Sequence, residues 1–380
     1  MISMVQKIKI ITAGALIIAG FVSCCTAKEV TDSEVKAGSL RTAETQNLLK
    51  NLKSFPENGF MFGHQDDTAY GIGWDGDQNR SDVKSVCGDY PAVCGWDLGH
   101  IELGADKNLD NIPFERIRQD IIAQYLRGGL NTVSWHLNNP LTGGDAWDVK
   151  TAGVVTSVLP GGAKHDQFIG WLGKLATFLN SLTAPDGKKV PVLFRPWHEH
   201  TGSWFWWGRS HCTPEQYKEL WKMTHDYLSS HGVNNLLYAY SPGGEDKVED
   251  YIERYPGDNY VDLLGFDCYP SADVQGTDAY RKSMTTCLTY LTQLGKEHNK
   301  PIAVTETGLE ALPIADWWTE VLFPLVDKYP ISYVLVWRNA REKPNHFYAP
   351  YPGQASAKNF VEFYNQPKTK FCSDIKNLYK

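Results

Sequence analysis

The sequence predicts a single (β/α)8 barrel, and two observations predict this fold class. The first is length, because 380 residues that are 42% hydrophobic suit one large domain of barrel size. The second is a recurring pattern, in which a short apolar or β-branched run ends in polar or aromatic residues and segments of helical spacing lie between the runs. Strands that alternate with helices favour a parallel sheet, and eight such units favour its closure into a barrel.

Eight runs account for the predicted strands. They span residues 59–64, 92–98, 131–136, 190–198, 236–241, 261–269, 301–305 and 332–337. The clearest helices between them are predicted over residues 112–126, 165–182, 214–231, 278–298 and 314–328. A doubly wound open sheet is the rival fold. It would need a glycine-rich phosphate turn that joins an early strand to a helix, and no GxxxxGKS motif is present.

The first 25 residues form a predicted lipoprotein-type signal peptide rather than part of the fold. Lys7 and Lys9 precede an apolar run over residues 10–22, and Ser23 and Cys24 follow it. Residues 21–24 resemble a bacterial lipoprotein cleavage site, so we expect acylation at Cys24; ordinary cleavage near Thr26 is the alternative. Residues 26–40 are then a tether, and residues 41–380 the barrel domain.

This N-terminus predicts an exported protein, periplasmic or on the cell surface, whose only membrane attachment is the lipid anchor. No later segment offers 18 consecutive apolar residues. The net charge of −7 and the absence of a basic cluster argue against nucleic acid as a partner. We expect a monomer that binds a neutral or weakly charged partner.

Six cysteines remain after the signal peptide. They are Cys87, Cys94, Cys212, Cys268, Cys287 and Cys372. Export permits disulfides, and Cys87 and Cys94 are close enough in sequence to close a short loop, but spacing alone does not fix the pairing. None of the six forms a CxxC pair, so we predict no structural zinc, and the sequence implies no cofactor.

Polar and aromatic residues follow the predicted strands and should converge, because barrel active sites form at the carboxyl ends of the strands. These residues are His64, Gln65, Asp66, Asp67, Trp96, Asp97, Trp135, His136, Trp197, His198, Glu199, His200, Tyr238, Tyr240, Asp267, Tyr269, Glu306, Trp337 and Arg338. His64, Asp66 and Asp67 could equally brace the first strand. Asp97 and Asp267 could orient a partner's hydrogen bonds rather than touch a ligand.

Glu199 and Glu306 are the best candidates for paired carboxylates. Each directly follows an apolar run, and if those runs are the fourth and seventh strands, the two glutamates face each other across the barrel mouth. Such a pair performs glycoside hydrolysis, one as an acid and the other as a carboxylate. Aromatic residues after Glu199 would raise its pKa and suit it to the acid role, whereas Glu306 needs donors to stay ionised. The available donors are Arg195, Tyr269 and Arg338.

Two alternative interpretations apply to this region. The glutamates could be solvated charges at strand ends. His198 and His200 could form half of a metal site, which would require a third ligand nearby. Of the four consecutive aromatics at residues 204–207, about half should pack inside the protein, since they cannot all point one way; we assign only Trp204 to the cleft.

Several segments resemble glycoside hydrolase family 26. Residues 195–208, RPWHEHTGSWFWWG, are similar to the family's acid/base motif, residues 304–308, VTETG, to its nucleophile strand, and residues 62–66, FGHQD, to its opening strand. Residues 135–136 and 337–339 also match places where the family contacts its substrate. The resemblance covers residues 60–340. It departs at Trp197, where many relatives carry a smaller apolar residue, and at the pair His200 and Thr201.

The resemblance implies a (β/α)8 barrel that hydrolyses β-1,4-mannan, galactomannan or glucomannan by retaining double displacement. It implies that Glu199 is the acid/base and Glu306 the nucleophile. The substrate-binding residues that it implies are His136, His198, Trp204, Tyr269, Trp337 and Arg338. A β-1,3-1,4-glucanase or β-1,3-xylanase of the same family, or a glycan-binding lipoprotein without catalysis, are the alternatives. Endo and exo action are both open.

Overall fold

The computed structural model describes residues 40–270 and 278–380, which lie within one compact unit of residues 38–380. Eight parallel strands form its centre. They are β1 (Phe60–Gln65), β2 (Val93–Asp97), β3 (Leu130–Ser134), β4 (Val192–Arg195), β5 (Leu236–Tyr240), β6 (Leu263–Asp267), β7 (Ile302–Thr307) and β8 (Ile331–Val336). Each strand pairs with the next, and β8 pairs with β1 over Met61–Tyr333 to His64–Val336. The predicted (β/α)8 barrel is therefore confirmed.

Ten α-helices connect the strands or cover the barrel within the described residues. They are α1 (Ala43–Ser54), α2 (Asp82–Cys87), α3 (Phe114–Leu126), α4 (Val154–Val158), α5 (His165–Ser181), α6 (Pro214–Ser230), α7 (Val248–Ile252), α8 (Asp278–Glu297), α9 (Phe323–Val326) and α10 (Ala357–Tyr364). Each predicted helix has a counterpart. The helix predicted over residues 314–328 is not one continuous α-helix. A π-helical turn at Trp318–Leu322 precedes α9, and Pro324 can donate no backbone N–H at that junction.

Helix α1 was not predicted, and it covers the amino-terminal end of the barrel. Thr42 caps this helix by accepting a hydrogen bond from the backbone N–H of Thr45. The helix buries its own side chains Leu48 and Leu52. The backbone N–H of Thr42 donates to the carbonyl of Asn234, just before β5, at 3.1 Å. At the other end, Ser332 on β8 donates to the carbonyl of Leu52 at 2.9 Å. Helix α1 thus closes the barrel opposite the carboxyl ends of the strands.

Residues 71–76, GIGWDG, have the GxGxxG spacing, and they follow the first strand, where the rival open-sheet fold would need its phosphate-binding turn. This segment lies in a small antiparallel hairpin, Tyr70–Gly71 with Trp74–Asp75. The hairpin sits in the loop after β1 rather than at a helix N-terminus, so it forms no dinucleotide-binding turn.

The six cysteines of the described residues are all free thiols, so no disulfide closes the loop between Cys87 and Cys94. Among residues 40–270 and 278–380, no helix combines the length and the apolar composition that crossing a bilayer requires. The predicted signal peptide and most of the tether lie outside the described residues.

Candidate active site

Glu199 lies in a tight turn directly after β4. Two non-glycine residues of this turn have left-handed backbone, Trp197 with φ of 55° and Glu199 with φ of 51°. Such conformations are uncommon for these residue types and persist only where surrounding contacts fix them. Here the backbone N–H of Glu199 donates to the carbonyl of Ser241 at 2.8 Å, and Tyr217 donates to the carbonyl of Trp197 at 2.8 Å. The turn therefore holds the Glu199 carboxyl at the barrel mouth.

Glu306 lies on β7, and two donors hold its carboxylate. The hydroxyl of Tyr269 donates to Oε2 of Glu306 at 2.8 Å, and Nη2 of Arg195 contacts Oε1. Arg195 is itself fixed, since its Nη1 donates to Asp267 at 2.7 Å and to Ser241 at 3.0 Å. Both are among the three donors that the sequence offers for this carboxylate, and the third, Arg338, contacts Tyr70, Asp110 and Glu342 instead. Asp267, whose role the sequence left open, orients the guanidinium.

Charge balance explains why this arginine stays ionised although it is buried. Burial by itself lowers the pKa of Arg195, but the charges of Asp267 and Glu306 outweigh that effect and raise the pKa above its usual value. A permanent cation thus lies against one oxygen of Glu306.

The two glutamates are close together and differ in their electrostatic surroundings. Carboxylate oxygens of Glu199, Asp267 and Glu306 lie within 4.8 Å of one another. Burial, and next the negative charge of Glu306, raise the pKa of Glu199 to about 7. The indole Nε1 of Trp204 donates to Oε2 of Glu199 at 2.8 Å and partly opposes this rise. Glu199 is therefore partly protonated near neutral pH.

A chain of hydrogen bonds runs from Asp97 on β2 through two histidines. Asp97 contacts Nδ1 of His136 at 2.7 Å, and Nε2 of His136 lies 3.0 Å from Nε2 of His198. Burial lowers the pKa of His136, but Asp97 outweighs this and raises it. Burial and the neighbouring cation Arg195 lower the pKa of His198 well below its usual value. His198 is therefore a neutral imidazole that faces a His136 stabilised in its charged form.

His198 and His200 point in different directions, so they do not form the suggested half of a metal site. His200 is buried between Tyr240 and Tyr217, with ring nitrogens 3.0 and 2.9 Å from their hydroxyl oxygens. It braces the turn from outside the cleft, whereas His198 lines the cleft. A sequence pattern of alternating histidines does not reveal this, because the left-handed turn changes the side to which each residue points.

The two glutamates open into a cleft of about 600 Å³, and six of its lining residues are Trp, Tyr or Phe. Trp204 is 46% exposed there, whereas Phe205, Trp206 and Trp207 are buried. Trp337 also lines the cleft. Flat exposed rings next to paired carboxylates suit a ligand with apolar faces and polar edges, as a pyranose ring has.

Trp147 is a residue of the cleft that the sequence did not single out. It is 46% exposed and stacks on His136, with ring centroids 5.3 Å apart and planes 12° from parallel. It lies in the long loop after β3, where no periodic pattern marks it. The sequence feature that could have indicated Trp147 is local composition, since this tryptophan lies between Asp145 and Asp148 in a loop rich in glycine.

Most of the predicted site residues come together in the cleft, and Arg338 does not. The cleft is lined by His136, His198, Glu199, Trp204, Tyr269, Glu306 and Trp337. Arg338 instead contacts Tyr70 at 3.2 Å, Asp110 at 3.2 Å and Glu342 at 2.8 Å, on the side of the barrel mouth near β1. A role for Arg338 in substrate binding stays a prediction.

A (β/α)8 barrel with two close carboxylates in an aromatic cleft at the carboxyl ends of its strands defines a class of protein, the barrel glycoside hydrolases. The model of glycosyl hydrolase family 26 matches residues 38–311 of this chain. The chain belongs to that family and is a glycoside hydrolase.

Two named relatives and one solved structure are similar to this chain. A mannan endo-1,4-beta-mannosidase of Bifidobacterium adolescentis is 33% identical over 372 residues, which cover 92% of this chain and 36% of that protein. This chain thus spans about a third of that relative. A mannan endo-1,4-beta-mannosidase of Bacillus subtilis is 29% identical and is matched over 89% of its length. The solved structure of a family 26 beta-mannanase from Bacteroides ovatus is 56% identical, with a TM-score of 0.87, over 90% of this chain and 98% of that one.

Proposed function

We propose that this protein is a retaining β-mannanase that hydrolyses β-1,4-mannosidic bonds in mannan, galactomannan or glucomannan. The observation that carries the mechanism is the spacing of the two glutamates, whose oxygens approach within 4.8 Å. Retaining enzymes hold their carboxyl groups about 5–5.5 Å apart, whereas inverting enzymes need roughly 6.5–9.5 Å to admit a water molecule. The relatives named for mannan hydrolysis support the substrate.

In the first step Glu306 attacks the anomeric carbon while Glu199 gives its proton to the departing oxygen. Glu199 suits this role because its pKa of about 7 leaves it partly protonated at neutral pH. Glu306 suits the nucleophilic role because Arg195 and Tyr269 stabilise its carboxylate and fix both of its oxygens.

In the second step Glu199 removes a proton from water, and that water releases the sugar from Glu306. The change of role follows from the same geometry. Once Glu306 is esterified it loses its negative charge, so the second cause of the raised pKa of Glu199 disappears. The pKa of Glu199 then falls, and the residue can act as the base.

The aromatic residues suggest where the sugar rings bind. Trp204 bonds to the acid and is half exposed, which suits the sugar on the leaving-group side. His136 and His198 both line the cleft beside the carboxylate pair. Both ring nitrogens of His136 already have partners, so the ring nitrogen left for a hydroxyl group of the attacked sugar is Nδ1 of His198, which has no partner among the described residues. Trp337 and Trp147 present further ring surface along the cleft.

The test is the product profile of the purified protein on galactomannan, glucomannan, lichenan, β-1,3-xylan and short manno-oligosaccharides. We expect oligosaccharides from the mannans alone, with retained anomeric configuration by NMR, and no turnover by the control Glu306→Ala. Hydrolysis of lichenan or xylan in place of mannan would refute the substrate, and an inverted product would refute the mechanism. Binding without hydrolysis would indicate a glycan-binding lipoprotein instead.

We also propose that the protein is exported and anchored by a lipid at Cys24. The support is the sequence of residues 7–25, with two lysines, an apolar run and Cys24. Mass spectrometry of protein purified from membranes should find a diacylated N-terminal Cys24, and Cys24→Ala should release the protein from the membrane fraction. A mature N-terminus near Thr26 would refute acylation and leave export intact.

A further inference from the structure

The amino-terminal end of the barrel carries a concentration of lysines that the proposed reaction does not use. Three adjoining surface hollows share residues of α1 and of the segment that follows it. Their lining contains six lysines and two acidic residues, a local excess of four positive charges in a chain of net charge −7. The lysines are Lys50, Lys53, Lys296, Lys300, Lys370 and Lys376, and the acids are Glu57 and Asp374. We call this surface the basic face.

The fold places these lysines together although they are distant in sequence. Lys50 and Lys53 lie on α1, which covers the amino-terminal end of the barrel. Lys300 lies just before β7, and Lys370 belongs to a short strand that pairs with the start of β1. All of them therefore lie opposite the catalytic cleft, whose lining among the described residues includes three glutamates and no lysine or arginine.

The described chain also begins on this face. Leu40 is 84% exposed, and its carbonyl accepts a hydrogen bond from Asn234, which precedes β5. The carboxylate of Asp262, just before β6, binds Arg41 at 2.7 Å. The described chain therefore enters the barrel at its basic end. The 14 residues from 26 to 39 span at most about 50 Å even when fully extended.

We propose that the basic face docks on an anionic phospholipid bilayer and turns the catalytic cleft away from it, toward polysaccharide. Lysines near an anionic bilayer are each attracted to its surface potential, and their contributions add over the face. The glutamates of the cleft are repelled by the same surface, so the charge distribution selects one orientation. The docking surface belongs to the barrel itself and does not depend on acylation at Cys24.

Cosedimentation of residues 38–380 with lipid vesicles tests the proposal. This unit contains all eight strands and their core, so it is a complete folding unit without the N-terminal segment. We expect binding to phosphatidylcholine vesicles that contain about one third phosphatidylglycerol, little binding to pure phosphatidylcholine, and loss of binding in high salt.

Matched variants locate the surface. Lys50→Glu with Lys53→Glu should weaken vesicle binding more than tenfold, since each lysine contributes about fivefold. Lys150→Glu with Lys247→Glu makes the same charge change in exposed loops after β3 and β5, on the cleft side, and should leave binding within about twofold. Both variants should keep the unfolding temperature and the hydrolytic activity of the parent.

Equal weakening by the two double variants would overturn the proposal, as would equal binding to both kinds of vesicle. The proposal would also be overturned if the protein bound heparin as tightly as it binds anionic vesicles. Such a result would indicate that the basic face captures any polyanion. None of these outcomes bears on mannan hydrolysis or on the anchor, since the tested protein lacks residues 1–37 and its cleft is unchanged.

Discussion

Replacing Trp204 with phenylalanine should move the alkaline limb of the pH profile to higher pH. The indole Nε1 of Trp204 donates to Oε2 of Glu199 at 2.8 Å and so stabilises the ionised carboxylate. Phenylalanine keeps a ring for the sugar but has no donor. The sign follows directly: without the donor, ionisation of Glu199 is less favourable, its pKa rises above about 7, and the acid form persists to higher pH.

The magnitude follows from the strength of one such bond. A hydrogen bond to a charged group contributes about 1.5 kcal/mol, and solvent around the half-exposed Trp204 reduces this to about 1 kcal/mol. Since 1.36 kcal/mol corresponds to one pKa unit, the alkaline limb should move up by about half to one pH unit. The assay is kcat/KM on a manno-oligosaccharide from about pH 5 to 9, because this quantity reports ionisations of the free enzyme.

The control is Trp147→Phe, which changes another exposed tryptophan of the same cleft that makes no bond to Glu199. It should alter KM and leave the alkaline limb in place. If Trp204→Phe leaves the limb unmoved or shifts it to lower pH, Glu199 is not the acid whose ionisation limits the reaction, and the assignment fails.

Three further predictions follow from the site and the core. Glu199→Ala should retain turnover of aryl mannosides whose leaving group needs no proton while losing most activity on mannan, whereas Glu306→Ala should lose both; equal losses on the two substrates would contradict the roles. Arg195→Met should lower the free energy of unfolding by about 3–5 kcal/mol, because Asp267 and Glu306 are buried against this cation and lose it; urea denaturation at pH 7 measures this, and a loss below about 1 kcal/mol would refute the electrostatic role of Arg195. Phe62→Ala should lower the free energy of unfolding by about 3–5 kcal/mol in the same assay at unchanged kcat, since the side chain is fully buried among aromatic rings on the outer side of β1. A decrease below about 1 kcal/mol would show that the surrounding side chains collapse into the cavity.

The sequence by itself determined the barrel and the position of its catalytic pair. Strands of a parallel barrel are buried on both faces and read as short apolar runs, so their number and order are visible in the chain. Because the carboxyl ends of all eight strands meet at one mouth, a residue at the end of a strand or in the turn that follows it has a predictable location. Glu199 and Glu306 could be placed in this way, and so could the donors Arg195 and Tyr269.

Only the tertiary structure decided which side chains face the cleft and which brace it from behind. His198 and His200 are two residues apart, yet a left-handed turn sends one into the cleft and the other between Tyr240 and Tyr217. Trp147 reaches the cleft from a long loop whose path no periodicity encodes. The same holds for the basic face, where α1 brings lysines of separate segments together. The direction in which a side chain points after the end of a strand depends on backbone angles and on contacts between distant residues. Local sequence patterns predict neither of these.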